Sequence, residues 1–164
     1  MHGLMMERPL LITDIMRFAD RNYPDVEIVS VTLDTPRHRC TWRDVFRRAR
    51  KLANALVDAG VKPGDRIASL AWNDYRHLEL YYAVSGSGAV LHTINPRLHP
   101  EQIAWIANHA EDQVLCFDMT FLPIVKAIWS KCTTVKHWIA LCDADKLPAD
   151  SGLPGLLSYE AWLG

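Results

Sequence analysis

Cysteine pairs, long apolar runs, phosphate-cradling glycine loops and an excess of either charge are all missing from this sequence. Each absence closes a class of function. The chain has 164 residues, with 18 Lys+Arg against 19 Asp+Glu and a formal net charge of −1. That balance argues against a whole-surface attraction to nucleic acid or anionic lipid. The four cysteines, Cys40, Cys116, Cys132 and Cys142, form no CxxC pair. Apolar neighbours, as in QVLCFD and HWIALC, favour buried thiols in a reducing compartment over an extracellular disulfide framework. The longest uncharged stretch, Leu80 to Pro96, is broken by Ser, Gly, His, Thr and Asn and does not read as a membrane span. At the start, MHGLMMERPLLI puts Glu7 and Arg8 where a secretory signal needs an unbroken apolar region. The expected location is cytoplasmic.

Motifs for self-contained catalysis are missing too. A dinucleotide fingerprint needs glycines directly after a strand. The only candidate, Gly86-Ser87-Gly88, falls between a helix and the next strand, and Val84 stands where a nucleophile elbow needs its first glycine. No Gly-Lys-Ser/Thr run exists for a P-loop, and the seven histidines lack zinc-ligand spacing. No metal site is expected.

What is present is the patterning of an α/β protein. Apolar residues make up 49% of the chain, and a chain of this size buries roughly 70% of its unfolded surface without a staple. LLITDIMRFADRNYP reads as a helix with Leu11, Ile15, Phe18 and Ala19 inward, stopped by Pro24. EIVSVTLD and RHRCTW read as the arms of a hairpin. Thr41 and Asp44 have capping-box spacing at the head of a helix whose stripe is Val45, Phe46, Ala49, Leu52, Ala53 and Leu56, with Gly60 as the C-terminal cap. From Arg37 to Lys51 there are seven Lys/Arg against one Asp. With the rest of the chain net acidic, this reads as a solvated helix face, and no nucleic-acid partner is expected.

After KPGD the pattern becomes strand, helix, strand. RIASLAW, AVLHTIN, QVLCFD and VKHWIALCD read as four buried strands, separated by helices in YRHLELYYAVSGSG, EQIAWIANHAED and FLPIVKAIWSKC. This predicts βαβ units and a parallel, doubly wound sheet. The expected division is 1–60 (helix, hairpin, capped helix), 61–143 (parallel core) and 144–164. In the last part, Ala144 to Leu157 reads as a surface loop and SYEAWL as a terminal turn.

Open parallel sheets bind ligands at the carboxyl ends of their strands. Trp72 and Asn73 follow the first parallel strand; His92, Asn95 and Arg97 lie at or just beyond the end of the second. These five are the ligand-proximal candidates. The competing readings are a helix cap for Asn73 and an Asn95-Pro96 turn beside a solvated Arg97. Tyr81 and Tyr82 are expected to divide between core and a partner layer, and His77 and His109 to sit at the surface or core edge. Trp105, Trp129 and Trp138 are an unusual aromatic load, for core packing or for a surface covered by another part of a larger protein.

The run VKPGDRIASLAWNDYRHLELYYAVSGSGAVLHTINPRLHPEQIAWIANHAEDQVLCFD resembles the N-terminal region of AMP-forming acyl-CoA synthetases, the adenylate-forming superfamily. The carriers are G-V-K-P-G-D-R, the W-N turn, the helix ending in G-A-V, I-N-P-R-L, the P-E-Q-I helix and a strand ending in Asp118. The hairpin, the T-W-R-D helix and SYEAWL also fit, and the detail is most similar to medium-chain fatty-acyl-CoA ligases. The resemblance implies a partial N-terminal domain of a two-step ligase that uses ATP, Mg²⁺ and CoA to convert a carboxylic acid through an acyl-adenylate to a thioester. The family's Ser/Thr/Gly-rich phosphate loop and catalytic Lys have no counterpart in SGSGAV or CTTVK, so no catalytic residue carries over. A chain like this alone is expected to bind none of the three. Its expected partners are the remainder of the synthetase and a second copy of itself. The alternative is a stand-alone α/β binding domain; a nucleotide-dependent oxidoreductase is disfavoured by the misplaced glycines.

Overall fold

Thr41 and Asp44 form a complete capping box. The Asp44 N–H donates to Thr41 Oγ1 at 3.3 Å, and the Thr41 N–H donates to Asp44 Oδ2 at 3.0 Å. The Thr41 hydroxyl also donates to Asp44 Oδ2 at 2.7 Å, and the two bonds from Thr41 hold the Asp44 carboxyl below its usual range. They launch α2 (Trp42–Asp58), which closes with Gly60 at φ +80°. There Val61 N–H donates to Leu56 O at 3.0 Å and Gly60 N–H to Val57 O at 2.9 Å, a Schellman closure. The structure, a computed structural model, describes residues 3, 4, 6–148 and 150–164.

Ahead of α2 lie α1 (Ile12–Asn22) and an antiparallel hairpin, β1 (Glu27–Ser30) with β2 (His38–Thr41). The main sheet has five parallel strands: β3 (Arg66–Leu70), β4 (Val90–Thr93), β5 (Asp112–Phe117), β6 (His137–Ala140) and β7 (Leu157–Ser158), in the order β4-β3-β5-β6-β7. Four strands were expected. The fifth joins Leu157, expected in the loop, to the first residue of SYEAWL, and two residues are too few to show an alternating pattern. Between the strands run α3 (Tyr75–Gly86), α4 (Pro100–His109) and α5 (Leu122–Ile128); α6 (Tyr159–Leu163) follows β7.

Alternation along the strands divides the core between two faces. Ile67, Val114, Cys116 and Ile139 pack with residues of α2, α3 and α6. Ala68, Leu115, Phe117 and Ala140 pack with residues of α4 and α5. Helices on both faces are what an all-parallel sheet requires, so the fold is the expected doubly wound α/β class.

The tail corrects a second expectation. Leu153 and Leu156 are buried in the α4/α5 face rather than lying in a surface loop. Leu153 between Gly152 and Pro154, and Leu156 just after Gly155, carry no period, so the sequence hides them. The first helix corrects a third: Met16 and Ala19 are buried, while Leu11, Ile15 and Phe18 are 50%, 61% and 59% exposed. The α1 helix lies on α2 and α3, outside the sheet layer, and only a narrow side of it touches them. Among the tryptophans, Trp138 is buried, Trp129 half-buried, and Trp105 exposed and stacked on His109. Tyr81 is exposed, and Tyr82 packs edge-on against Trp42. Cys116, Cys132 and Cys142 are buried, Cys40 is half-buried, and all four are unpaired. Among the described residues no helix is long and apolar enough to cross a membrane.

Candidate functional site

β3 and β4 are consecutive neighbours, yet β5 returns to the other side of β3. This reversal opens a crevice beyond the carboxyl ends of β3 and β5, the place where open α/β sheets take ligands. Asp118 closes that crevice from the β5 side. Its N–H donates to Leu70 O at 3.0 Å, and its Oδ2 accepts from the Trp72 N–H at 2.5 Å. The Trp72 ring leans on Phe121, with centroids 5.1 Å apart, and stays 45% exposed. Burial pushes the Asp118 carboxyl up to about 6, against the pull of the Trp72 N–H. In the sequence Asp118 stands only as the end of a strand; a lone Asp after an apolar run gives no sign that its carboxylate folds back.

Of the sequence candidates, Trp72 and Asn73 lie on this edge, and Asn73 is exposed. The cap of α3 is Asp74, whose Oδ1 accepts from the His77 N–H at 3.0 Å. Asn95 and Arg97 follow β4 in an exposed turn, where Asn95 Oδ1 accepts from the Arg97 N–H at 3.0 Å. His92 departs from the group. It lies within β4, and its Nδ1 is 2.9 Å from Oδ2 of Asp112, the first residue of β5, so it pairs across the sheet and away from the carboxyl edge. His77 also departs from expectation, being buried with Nε2 3.1 Å from Ser69 Oγ. Burial lowers its pKa and keeps it neutral.

The largest polar constellation lies beside the crevice and was not foreseen. Arg76, 2% exposed, reaches Asp143 at 2.6 Å, Glu160 at 3.0 Å and Asp34 at 3.1 Å. Arg48 donates to Glu79 at 2.7 Å and grips Glu160 with two bonds of 2.9 and 2.8 Å. Tyr159 OH donates to the other oxygen of Glu79 at 2.7 Å. Burial would raise the Glu160 carboxyl, but hydrogen bonds from Arg48 and Arg76 hold it below the usual range. Burial drives Glu79 upward against Arg48 and Tyr159. The network ties α2, α3, the hairpin connection, the end of β6 and α6 together. Its one legible trace was Arg76 and Glu79, two charges three residues apart in a helix with no other Asp, Glu, Lys or Arg.

The donor set does not fit a nucleotide with its metal. Among the described residues no three His, Cys, Asp or Glu side chains gather as a metal site. The N-terminus of α3, where a phosphate would sit, is filled by the chain's own Asp74 carboxylate. Asp118 is engaged by Trp72, Asp112 by His92, and Arg48 and Arg76 by carboxylates. What the edge can do is present an indole, two exposed amides and one exposed guanidinium to a ligand held elsewhere.

Residues 17–158 match the sequence profile of the AMP-binding enzyme family. A 3-methylmercaptopropionyl-CoA ligase of Ruegeria lacuscaerulensis is 48% identical over 98% of this chain, and a medium-chain-fatty-acid–CoA ligase of Ectopseudomonas oleovorans is 46% identical over all of it. In both, the chain spans 30% of the relative's length. A solved putative long-chain-fatty-acid CoA ligase from Rhodopseudomonas palustris superposes with a TM-score of 0.76 and 26% identity, covering 93% of this chain and 36% of that one.

Proposed function

The chain belongs to the AMP-binding enzyme family, and from that premise we propose that it is the N-terminal part of an ATP-dependent fatty-acyl-CoA ligase. The observation that supports this most is unbroken similarity to CoA ligases along the whole chain, at a fraction of their length. In this reading the chain is scaffold. Its doubly covered sheet and its buried ionic network hold the carboxyl edge rigid, and Trp72, Asn73, Asn95 and Arg97 border a ligand bound chiefly by the rest of the enzyme. His92 serves by fixing β4 to β5 through Asp112. ATP, Mg²⁺ and CoA belong to that rest. The unpaired cysteines support a cytoplasmic setting, and exposed Leu11, Ile15, Phe18 and Trp105 support cover by the remaining synthetase or by a second copy.

A segment exchange tests the proposal. The chain replaces the matching segment of the Ectopseudomonas ligase, and ATP–pyrophosphate exchange is followed with octanoate and Mg²⁺. The exchanged enzyme should be active and the 164-residue chain alone should stay at background. Exchange that scales with the purified chain alone, or a folded chimera with none, overturns the reading.

A further inference from the structure

We propose that the cleft between α1, α2 and α3 binds a single-chain fatty carboxylate, tail between the helices and carboxylate at Arg17 and Arg50. This lies apart from the carboxyl edge and does not depend on the ligase reading. The cleft has a volume of about 400 Å³, within the range of roughly 300–1,000 Å³ typical of small-molecule sites. Its floor is Met16, Ala49 and Ala83, all buried, and its walls include Phe46, Ala53 and Tyr82. The space exists because α1 is held close to α3 at its first turn while α2 faces it with alanines. A Cβ on Gly86 would stand 2.9 Å from Thr13 Cγ2, so the helices meet there and leave a hollow beyond.

The chemistry of the rim selects the occupant. The charged residues lining the cleft are Arg17 and Arg50, both cations. Arg17 shares its guanidinium with Asp14 at 3.4 Å. Arg50 forms no ion pair among the described residues and lies over the Phe46 ring, 5.7 Å from its centroid. It also borders an adjoining groove with Arg43, Arg47 and Lys51 against the single acid Asp20. The mouth is therefore positive while the interior is apolar. A peptide strand entering would bury backbone N–H groups whose only side-chain oxygen acceptors in the lining are the Thr13 and Tyr82 hydroxyls, at a cost of several kcal/mol. An aliphatic tail has no such groups, and its one charged end meets the guanidinium groups, which match a carboxylate in shape.

Methyl NMR of the full chain labelled at methionine reads the site directly, with no ATP or CoA present, so failure here leaves the ligase reading intact. Decanoate should shift the Met16 methyl saturably and leave Met119, on the opposite face of the sheet, unmoved. Acetate, which has the head without the tail, should do nothing. Arg50→Gln, at an exposed position, should weaken decanoate about tenfold, and Ala53→Trp should abolish the Met16 shift by filling the cleft. If Ala53→Trp loses its fold by circular dichroism, Arg50→Gln alone decides. An unmoved Met16, an affinity unchanged in the folded variants, or a response to anionic vesicles but not to free decanoate overturns the proposal.

Discussion

The two faces of the sheet are built from different materials. The face under α4 and α5 has a broad apolar core, from Ala68 and Leu115 to Ile103, Val125 and Trp138, with the isolated His92–Asp112 pair at its edge. The face under α2, α3 and α6 has an equally apolar centre, but its rim carries Arg48, Arg76, Glu79, Glu160 and Tyr159 in one hydrogen-bonded set. An apolar face accepts any shape that fills it, whereas buried ions demand partners in fixed directions. The ionic rim therefore determines where α6 and the hairpin connection sit, and the apolar face mainly supplies stabilisation.

The strongest test of this contrast is Glu79→Ala. It leaves the Arg48 guanidinium half-deprived of its carboxylates and the Tyr159 hydroxyl buried without an acceptor. The expected loss is about 4 kcal/mol of unfolding free energy in urea denaturation. A loss under about 1 kcal/mol would show that the ionic rim is dispensable.

On the other face, Leu115→Ala creates a cavity with no charge left stranded. It should cost about 3 kcal/mol and leave α6 docked, as read by amide exchange of Tyr159 to Leu163. In Glu79→Ala those same amides should lose protection, and equal protection in both variants would erase the distinction between the faces.

The smallest expected effect is a pH dependence at the crevice. Asp118 titrates near 6 in the folded protein and near 3.9 when unfolded. Between those values the folded state binds more protons, so stability is full below about 4 and falls as pH rises through about 6. The fall is roughly 2–3 kcal/mol for this one group. Asp118→Asn keeps an oxygen for the Trp72 N–H and should flatten that part of the stability profile. An unchanged profile would remove Asp118 as its source.

Local signals were readable where neighbours in sequence are neighbours in space. Thr41 and Asp44 cap α2, Gly60 closes it, and strands alternate with helices as their apolar patterns foretold. The carboxyl edge was readable only in outline. Trp72, Asn73, Asn95 and Arg97 fall near it because strand ends can be counted, but Asp118 reaches Trp72 across 46 positions. His92 does lie near the end of β4, but counting along that strand does not show that its ring pairs with Asp112 across β3.

Composition and period by themselves determined the class of this protein, an α/β fold with a parallel sheet needing cover on both faces, because burial of apolar side chains follows the repeat of each element. Only the tertiary structure decided that Arg76 is buried and Arg48 half-buried among carboxylates, that Leu11, Ile15 and Phe18 face outward, and that Asp74 fills the head of α3. Those outcomes depend on which elements meet, and a charge or an apolar stripe acquires its partner only when strands and helices distant in the chain are brought side by side.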